Sequence, residues 1–409
     1  MTMRLLHIIA SMDPLTGGPC QGIRNMNRIF EGLNIHREVV SLDDPNAPFI
    51  GTDTFVIHAL GPSKTAWQYS EKLLPWLLEN LGRFDTVVVN GIWLYHVYAV
   101  RKALGILRRK NVSFKDNPEK IPKLFIMPHG MLDPYFQKAS GRKLKAFRNW
   151  IYWKLIEGKN IQNANGLFFT CEVELQLARQ NFSSYKPKKE INVSYGVEDV
   201  PKYNEKMKAA FLEKCPDVNE ASYFLFLSRI HFKKGVDMLV KAYVKIFNAR
   251  KVGGKMNDFP KLVIAGPGME THYGKSLEQL IVKFPELRSF ILFPGMLTGD
   301  AKWGALYGCE AFILPSHQEN FGIAVVEALA CQKPVLISNQ INIWHEIIAC
   351  EGGIVKDDTL KGTEELLESW MNLSQEQKAL LSQNARNSFE KKFSVFPAAM
   401  RFIEALNSN

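Results

Sequence analysis

Apolar residues fall in short, near-continuous runs along this chain, each closed by a glycine, a proline or a polar residue and followed by helical spacing. In the first half the runs are RLLHIIAS (4–11), REVVSL (37–42), FVIHAL (55–60), TVVVNG (86–91), KLFIMPHG (123–130), GLFFTC (166–171) and INVSYG (191–196). In the second half they are YFLFLSRI (223–230), KLVIAGPG (261–268), FILFPG (290–295), AFILPSH (311–317) and KPVLIS (333–338). Strands covered by helices on both faces read this way, and strands alternating with helices make a parallel sheet. Two successive sets predict an α/β chain of two doubly wound, Rossmann-like domains. The polar segment 197–221, broken by Pro201 and Pro216, reads as the linker, and the stretch after Leu360 reads as helix throughout.

At 409 residues the chain is long enough for two or three domains, and 46% apolar with 22% charged residues is an ordinary globular composition. A net charge of +10 points to an anionic partner: nucleic acid, a phosphorylated small molecule or a membrane surface. Six scattered cysteines with no C-x-x-C pair indicate neither a zinc site nor a disulfide framework. No run approaches the length of a membrane span, so a cytoplasmic protein, at most peripheral to a membrane, is expected.

Ligands of doubly wound sheets bind beyond the carboxyl ends of the strands, which directs attention to the residues that close the runs. Arg229, Lys233 and Lys234 in SRIHFKKG sit at a strand-to-helix junction and suit a phosphate, or form a solvated basic turn. Gly17 and Gly18 follow the first run, where backbone N–H groups can approach an anion, though two glycines alone also make a simple turn. His129 closes the KLFIM run and is available to a ligand, whereas His7 and His58 lie inside apolar runs and read as core residues with satisfied hydrogen bonds.

In SHQENFGIAVVEAL (316–329), Ser316 and Glu319 fit a capping box, and Glu327 fits an exposed helical acid. Alternatively, Gly322 opens a helix N-terminus, Glu319 in the loop reads one set of hydroxyls, and Glu327, two turns further, reads another. Two diol-binding carboxylates about a phosphate site describe a nucleotide-sugar pocket.

With R-x-x-x-K-G at Arg229–Gly235, A-G-x-G at Ala265–Gly268, E-x7-E at Glu319–Glu327, Gly17-Gly18 and His129-Gly130, the chain resembles the retaining, nucleotide-sugar-dependent glycosyltransferases of family 4. The resemblance covers most of the chain and is strongest over 222–350. It implies the GT-B fold: two Rossmann-like domains facing each other across a cleft. The first, 1–197 with a returning helix at about 392–409, would be the acceptor side, and 198–391 would bind the nucleotide-sugar.

By resemblance, Arg229 and Lys234 hold the donor diphosphate, approached by Gly17-Gly18 and accompanied by Gly266 and Gly268. Glu319, with Asn320, Phe321 and Gly322, holds the donor sugar. Glu327 holds the ribose, and His129 the primary hydroxyl side of the sugar. His129, Arg229, Lys234 and Glu319 are the expected catalytic set. The resemblance also implies no metal and no cofactor, and no D-x-D motif occurs. A hexose donor is expected, UDP-glucose first and GDP-mannose as the alternative, with a sugar or lipid-linked acceptor in cell-envelope polysaccharide or glycolipid synthesis. Where the family often has Pro-Asn-Gly-Val, this chain has Ser194-Tyr195-Gly196-Val197.

Candidate acceptor contacts are Trp93, His96, Asp133 and Arg142, although NGIWLYHVYA (90–99) also reads as helix packing. Residues 138–154 hold six basic residues and no acid, interleaved with aromatics. They form either a surface for an anionic membrane or lipid-linked acceptor, or a basic outer face over a packed aromatic inner face. A nucleic-acid reader motif is missing, as is the G-x-G-x-x-G of a nicotinamide dehydrogenase. Within the fold, an epimerase- or phosphorylase-like relative is the remaining alternative.

Overall fold

The computed structural model describes residues 3–113, 120–138, 143–219, 221–254, 256 and 258–407. The chain forms two compact units, Met1–Gly196 with Val395–Asn409, and Val197–Ser394.

The first unit is built on a seven-stranded parallel sheet. Its strands are β1 (Arg4–Ile8), β2 (His36–Ser41), β3 (Val56–Ala59), β4 (Thr86–Asn90), β5 (Lys123–Met127), β6 (Gly166–Phe169) and β7 (Glu190–Asn192), in the order β3-β2-β1-β4-β5-β6-β7. The inner strands β1, β4, β5 and β6 are almost wholly buried, which is why their sequences run apolar instead of alternating. The last helix, Val395–Asn407, closes one face. Its Ala399, Phe402, Ala405 and Leu406 join a core with Leu5, Phe30, Val88, Phe125 and Phe168. Phe402 meets Phe168 edge-on at 5.2 Å and lies 6.0 Å from the ring of His7.

The second unit has six parallel strands: β8 (Tyr223–Leu227), β9 (Lys261–Ala265), β10 (Ile291–Gly295), β11 (Ala311–Leu314), β12 (Val335–Ser338) and β13 (Gly353–Lys356). Their order is β10-β9-β8-β11-β12-β13. Both sheets therefore wind outward in two directions from a central pair, β1/β4 and β8/β11. At such a reversal the connecting segments diverge and leave a crevice at the strand ends.

Three expectations need correction. Segment 197–221 is more than a linker, because Glu205–Lys214 is a helix of the second unit. Met207 and Phe211, one turn apart, bury their side chains, and the helix packs so closely on Gly299–Gly308 that a Cβ on Gly304 would lie 2.0 Å from the Met207 carbonyl oxygen. Strand β13 was not among the apolar runs: it is short, lies at the sheet edge and is half-exposed over three of its four residues. The helix Lys143–Tyr152 has no buried residue. Its Leu144, Phe147, Trp150 and Ile151 side chains are exposed, so of the packed aromatic inner face expected over 138–154 only Tyr152, half-buried, and Trp153, buried just beyond the helix, turn inward.

Candidate functional site

The second unit gathers its charged candidates at the β8/β11 reversal. After β8 the chain makes a short turn at Phe232–Lys234, capped by His231, whose Nδ1 accepts from the Lys233 N–H at 3.1 Å. Gly235 then enters the helix Val236–Val252 at φ +67°, and a Cβ there would lie 2.1 Å from the Pro315 carbonyl oxygen. Only glycine lets the β8 and β11 loops approach so closely. The two loops are tied together as the His317 N–H and the Ser316 hydroxyl donate to the Lys233 carbonyl at 2.8 and 3.0 Å.

This arrangement brings Lys234 onto Glu319, with Nζ donating to Oε2. Lys234 is buried. Burial, with Lys233 and Arg229 close by, pulls its pKa down to about 7, and the contact with Glu319 opposes that pull. Arg229 is exposed at the mouth of the same turn.

Ser316 does not form a capping box. Its hydroxyl is committed to the β8 loop, and the helix Ile323–Ala330 starts instead from Gly322 at φ +75°, with no side-chain cap. Glu319 is held by its backbone: its N–H donates to the Gln340 carbonyl at 2.9 Å, and its carbonyl accepts from the Asn342 N–H at 3.0 Å. Asn320 Oδ1 accepts from Asn342 Nδ2 at 3.3 Å, while the Phe321 side chain is buried, 5.9 Å from the ring of Phe393. Glu327 is mostly shielded and accepts from Lys302 Nζ at 2.8 Å, so it is not a freely exposed acid.

Gly266 and Gly268 have a local explanation. They adopt φ +145° and +123°, and Cβ atoms there would lie 1.9 Å from the Ser228 and 2.5 Å from the Ile230 carbonyl oxygens. The β9 loop thus lies against the loop that carries Arg229, and the Ile230 N–H donates to the Pro267 carbonyl at 2.8 Å.

The first unit places Gly17 and Gly18 after β1, Trp93 after β4 and His129 after β5. Gly17 has φ +94° and ψ −141°, a conformation suited to glycine, with open space where a side chain would stand. The Gly18 carbonyl accepts from the Tyr195 hydroxyl. His129, at φ +52°, is half-buried and bonded through Nε2 to Asn90 Oδ1 at 3.0 Å. Burial lowers its pKa to about 4, so the ring is neutral at neutral pH.

Asn90, the last residue of β4, is a hub that no motif announced. Its amide also contacts His7 Nδ1 at 3.3 Å, and its carbonyl accepts from His96 Nε2 at 3.0 Å. His7 is therefore only half satisfied, since its buried Nε2 has no partner, whereas His58 Nε2 is bonded to Glu38 at 2.7 Å. Glu174 was also missed. Its buried carboxylate accepts from the Gly130 N–H at 2.5 Å and the Thr170 N–H at 2.7 Å, which ties the His129-Gly130 turn to the end of β6. Its signal was the C-x-x-E of Cys171–Glu174, with the Cys171 sulfur accepting from the Glu174 N–H at 3.4 Å.

The acceptor candidates do not form one surface. His96 is fully buried, pushed down to about 4 by burial, and cannot meet an acceptor without rearrangement. Asp133 is buried and accepts from the Tyr135 N–H at 2.8 Å. Trp93, at φ +73°, packs among Tyr152, Trp153 and Phe182 and is half-buried. Arg142 lies outside the described residues. Beneath Trp93, Glu157 is fully buried at the end of a π-helical turn, Trp153–Glu157, and accepts from the Trp93 N–H at 3.2 Å. Burial raises its pKa to about 7, and its Oε1 has no partner.

Two all-parallel units of this topology define the GT-B class. The solved structure of Anabaena HepE in complex with UDP matches over all of both chains at a TM-score of 0.72 with 15% identity. The same protein in complex with UDP-glucose matches over all of both chains at 0.69 with 14%. At that identity the likeness establishes the fold. Residues 209–388, all within the second unit, match the family model of glycosyl transferases group 1. An uncharacterized glycosyltransferase of Methanocaldococcus jannaschii is 31% identical over 121 residues, covering 30% of this chain and 28% of that protein. The O-antigen chain mannosyltransferase of Salmonella typhimurium is 27% identical over 168 residues, covering 40% and 43%. The chain thus spans less than half the length of either relative.

Proposed function

We propose that the chain transfers a hexose from a nucleotide-sugar to a sugar or lipid-linked sugar acceptor, with retention of configuration at the anomeric carbon and without a metal. The observation that carries this is the Lys234–Glu319 pair at the β8/β11 reversal, beside Arg229 and a glycine-headed helix that bears Glu327. A buried cation with an exposed one at its side suits a diphosphate, and carboxylates on either side suit hydroxyls.

In this reading Arg229 and Lys234 take the negative charge that builds on the departing diphosphate. The bond from the anomeric carbon to that diphosphate breaks as one forms to the acceptor oxygen on the same face. The acceptor proton passes to the leaving phosphate oxygen. Glu319 orients the sugar and Glu327 the ribose, giving up its bond to Lys302. Neutral His129 accepts a hydrogen bond from a sugar hydroxyl at Nδ1 and brings no charge, and the exposed backbone at Gly17 is the proposed phosphate contact of the first unit.

UDP-glucose is the proposed donor, supported by the UDP and UDP-glucose complexes of HepE. The mannosyltransferase relative favours GDP-mannose as the second choice. Calorimetric titration with UDP, GDP and their sugar derivatives in EDTA separates these readings, using wild type and the double variant Arg229→Ala/Lys234→Ala. Metal-free binding of one nucleotide that the double variant loses is the expected result. No binding of any nucleotide would remove the transferase reading.

A further inference from the structure

The helix Lys143–Tyr152 and the π-helical turn that extends it, Trp153–Glu157, carry their amphipathic pattern reversed. A helix on a globular protein normally turns its apolar stripe to the core. Here the stripe Leu144, Phe147, Ile151 and Leu155, spaced by three, four and four residues, faces outward. Leu144 is 87% exposed, Phe147 63% and Leu155 62%. The positions turned inward are Ala146 and Asn149, half-buried, then Trp153 and Glu157, fully buried. Trp150 stacks on Phe147 at 6.2 Å and 15°, and Lys154 Nζ lies 4.0 Å from the centre of the Trp150 ring. Lys143 and Lys154 flank one side of the stripe and Lys145 and Arg148 the other, all exposed, with no acidic residue from 143 to 156.

We infer that this face docks on the surface of an anionic lipid bilayer. Lipid tails would take the four apolar side chains and headgroups the cations, whose long stems let the charged ends reach outward. Tryptophan beside a cation is the pairing that suits the boundary between tails and water. A second copy of this chain is a poorer occupant. A two-fold interface sets the same patch against itself and would bring both basic flanks together. The inference does not depend on the transferase reading, since no residue of the stripe belongs to the Lys234–Glu319 site.

The test is sedimentation of the full chain with vesicles of phosphatidylcholine alone and of phosphatidylcholine mixed with phosphatidylglycerol. Wild type should bind the mixed vesicles at least tenfold more tightly than the neutral ones, and more weakly as salt rises. Phe147→Ser/Leu155→Ser should lose at least tenfold at any salt concentration. Lys143→Glu/Lys145→Glu/Arg148→Glu should lose the preference for anionic vesicles. Because all these side chains are exposed, the variants should melt with wild type, and titration with UDP reports separately on the Lys234–Glu319 site. Equal binding of wild type and the Phe147/Leu155 variant, or no binding by wild type, would overturn the inference. So would a wild-type dimer that the Phe147/Leu155 variant breaks.

Discussion

Lys234, after β8, and Glu319, after β11, join their charges across the point where the second sheet reverses its winding. Lys234 is held by a backbone contact within its own loop and Glu319 by two backbone contacts to the loop after β12, so the pair is set before any ligand arrives. Lys234→Met should weaken UDP binding roughly ten- to hundredfold, the range of a charge-assisted hydrogen bond. Glu319→Gln should leave UDP binding near wild type and weaken the advantage of a UDP-sugar over UDP. Wild-type affinity should also fall as pH rises from about 7, where burial sets the loss of the Lys234 proton. Lys234→Arg should flatten that dependence, because a guanidinium stays charged. Calorimetry across pH checks all four, and an unchanged profile in Lys234→Arg would assign the dependence elsewhere.

His129 and Asn90 make a second testable relationship. Asn90 Nδ2 lies 3.4 Å from both the Ile8 and the Val88 carbonyl oxygens, which leaves Oδ1 as the acceptor for His129 Nε2–H. Nδ1 then carries the free lone pair. His129→Ala should lower transfer at least tenfold while UDP affinity stays within a factor of about two. Asn90→Leu should reproduce part of that loss, because the imidazole is no longer oriented. Steady-state kinetics with the donor identified by titration would show it.

Glu157 predicts a dependence of stability on pH. Its pKa is raised to about 7 in the folded chain, against about 4.5 when unfolded. Between those values the folded state holds the proton and the unfolded state does not. The stabilisation is therefore complete below about 4.5 and is lost as pH rises through about 7. A shift of that size in a fully buried group corresponds to about 3 kcal/mol. Glu157→Gln should raise the melting temperature at pH 8 and change it little at pH 5. Equal shifts at both values would show that the protonation of Glu157 does not change between pH 5 and pH 8 in the native state.

Gly266→Ala tests whether loop contact shapes the donor side. The added Cβ would meet the Ser228 carbonyl oxygen at 1.9 Å, with a backbone at φ +145° that alanine rarely adopts. A loss of roughly 2 kcal/mol or more in the second unit is expected, together with weaker UDP binding as the Arg229 turn shifts. Hydrogen exchange localised to β8, β9 and their loops would confirm it. Protection unchanged there would mean that the loops have more slack than their geometry implies.

The strands were legible because burial on both faces leaves no room for polar residues in the middle of a run. Where burial is partial the signal fades, as in β13 and in the helix Glu205–Lys214, which commits only Met207 and Phe211 to the core. The strand-end loops were legible as places, since Lys234 and Glu319 come from different loops of adjacent strands. Their direct contact was not legible, because it depends on the close approach at Gly235. Periodicity showed that Leu144, Phe147, Ile151 and Leu155 share a face and could not say which way that face turns. A local pattern also misled: Ser316 and Glu319 have capping-box spacing, yet the partner of the Ser316 hydroxyl is a carbonyl 83 residues earlier in the chain.

The helix Val395–Asn407 completes the core of the first unit, although the whole second unit separates it in sequence from the rest of that core. During synthesis, the sheet from β1 to β7 leaves the ribosome with one apolar face uncovered until some two hundred further residues have been made. Phe402 must then find Phe30 and Phe168 across that interval. The second unit, by contrast, emerges as an unbroken stretch. The order of birth therefore favours the second unit reaching its native state first, with the unit made earliest maturing last.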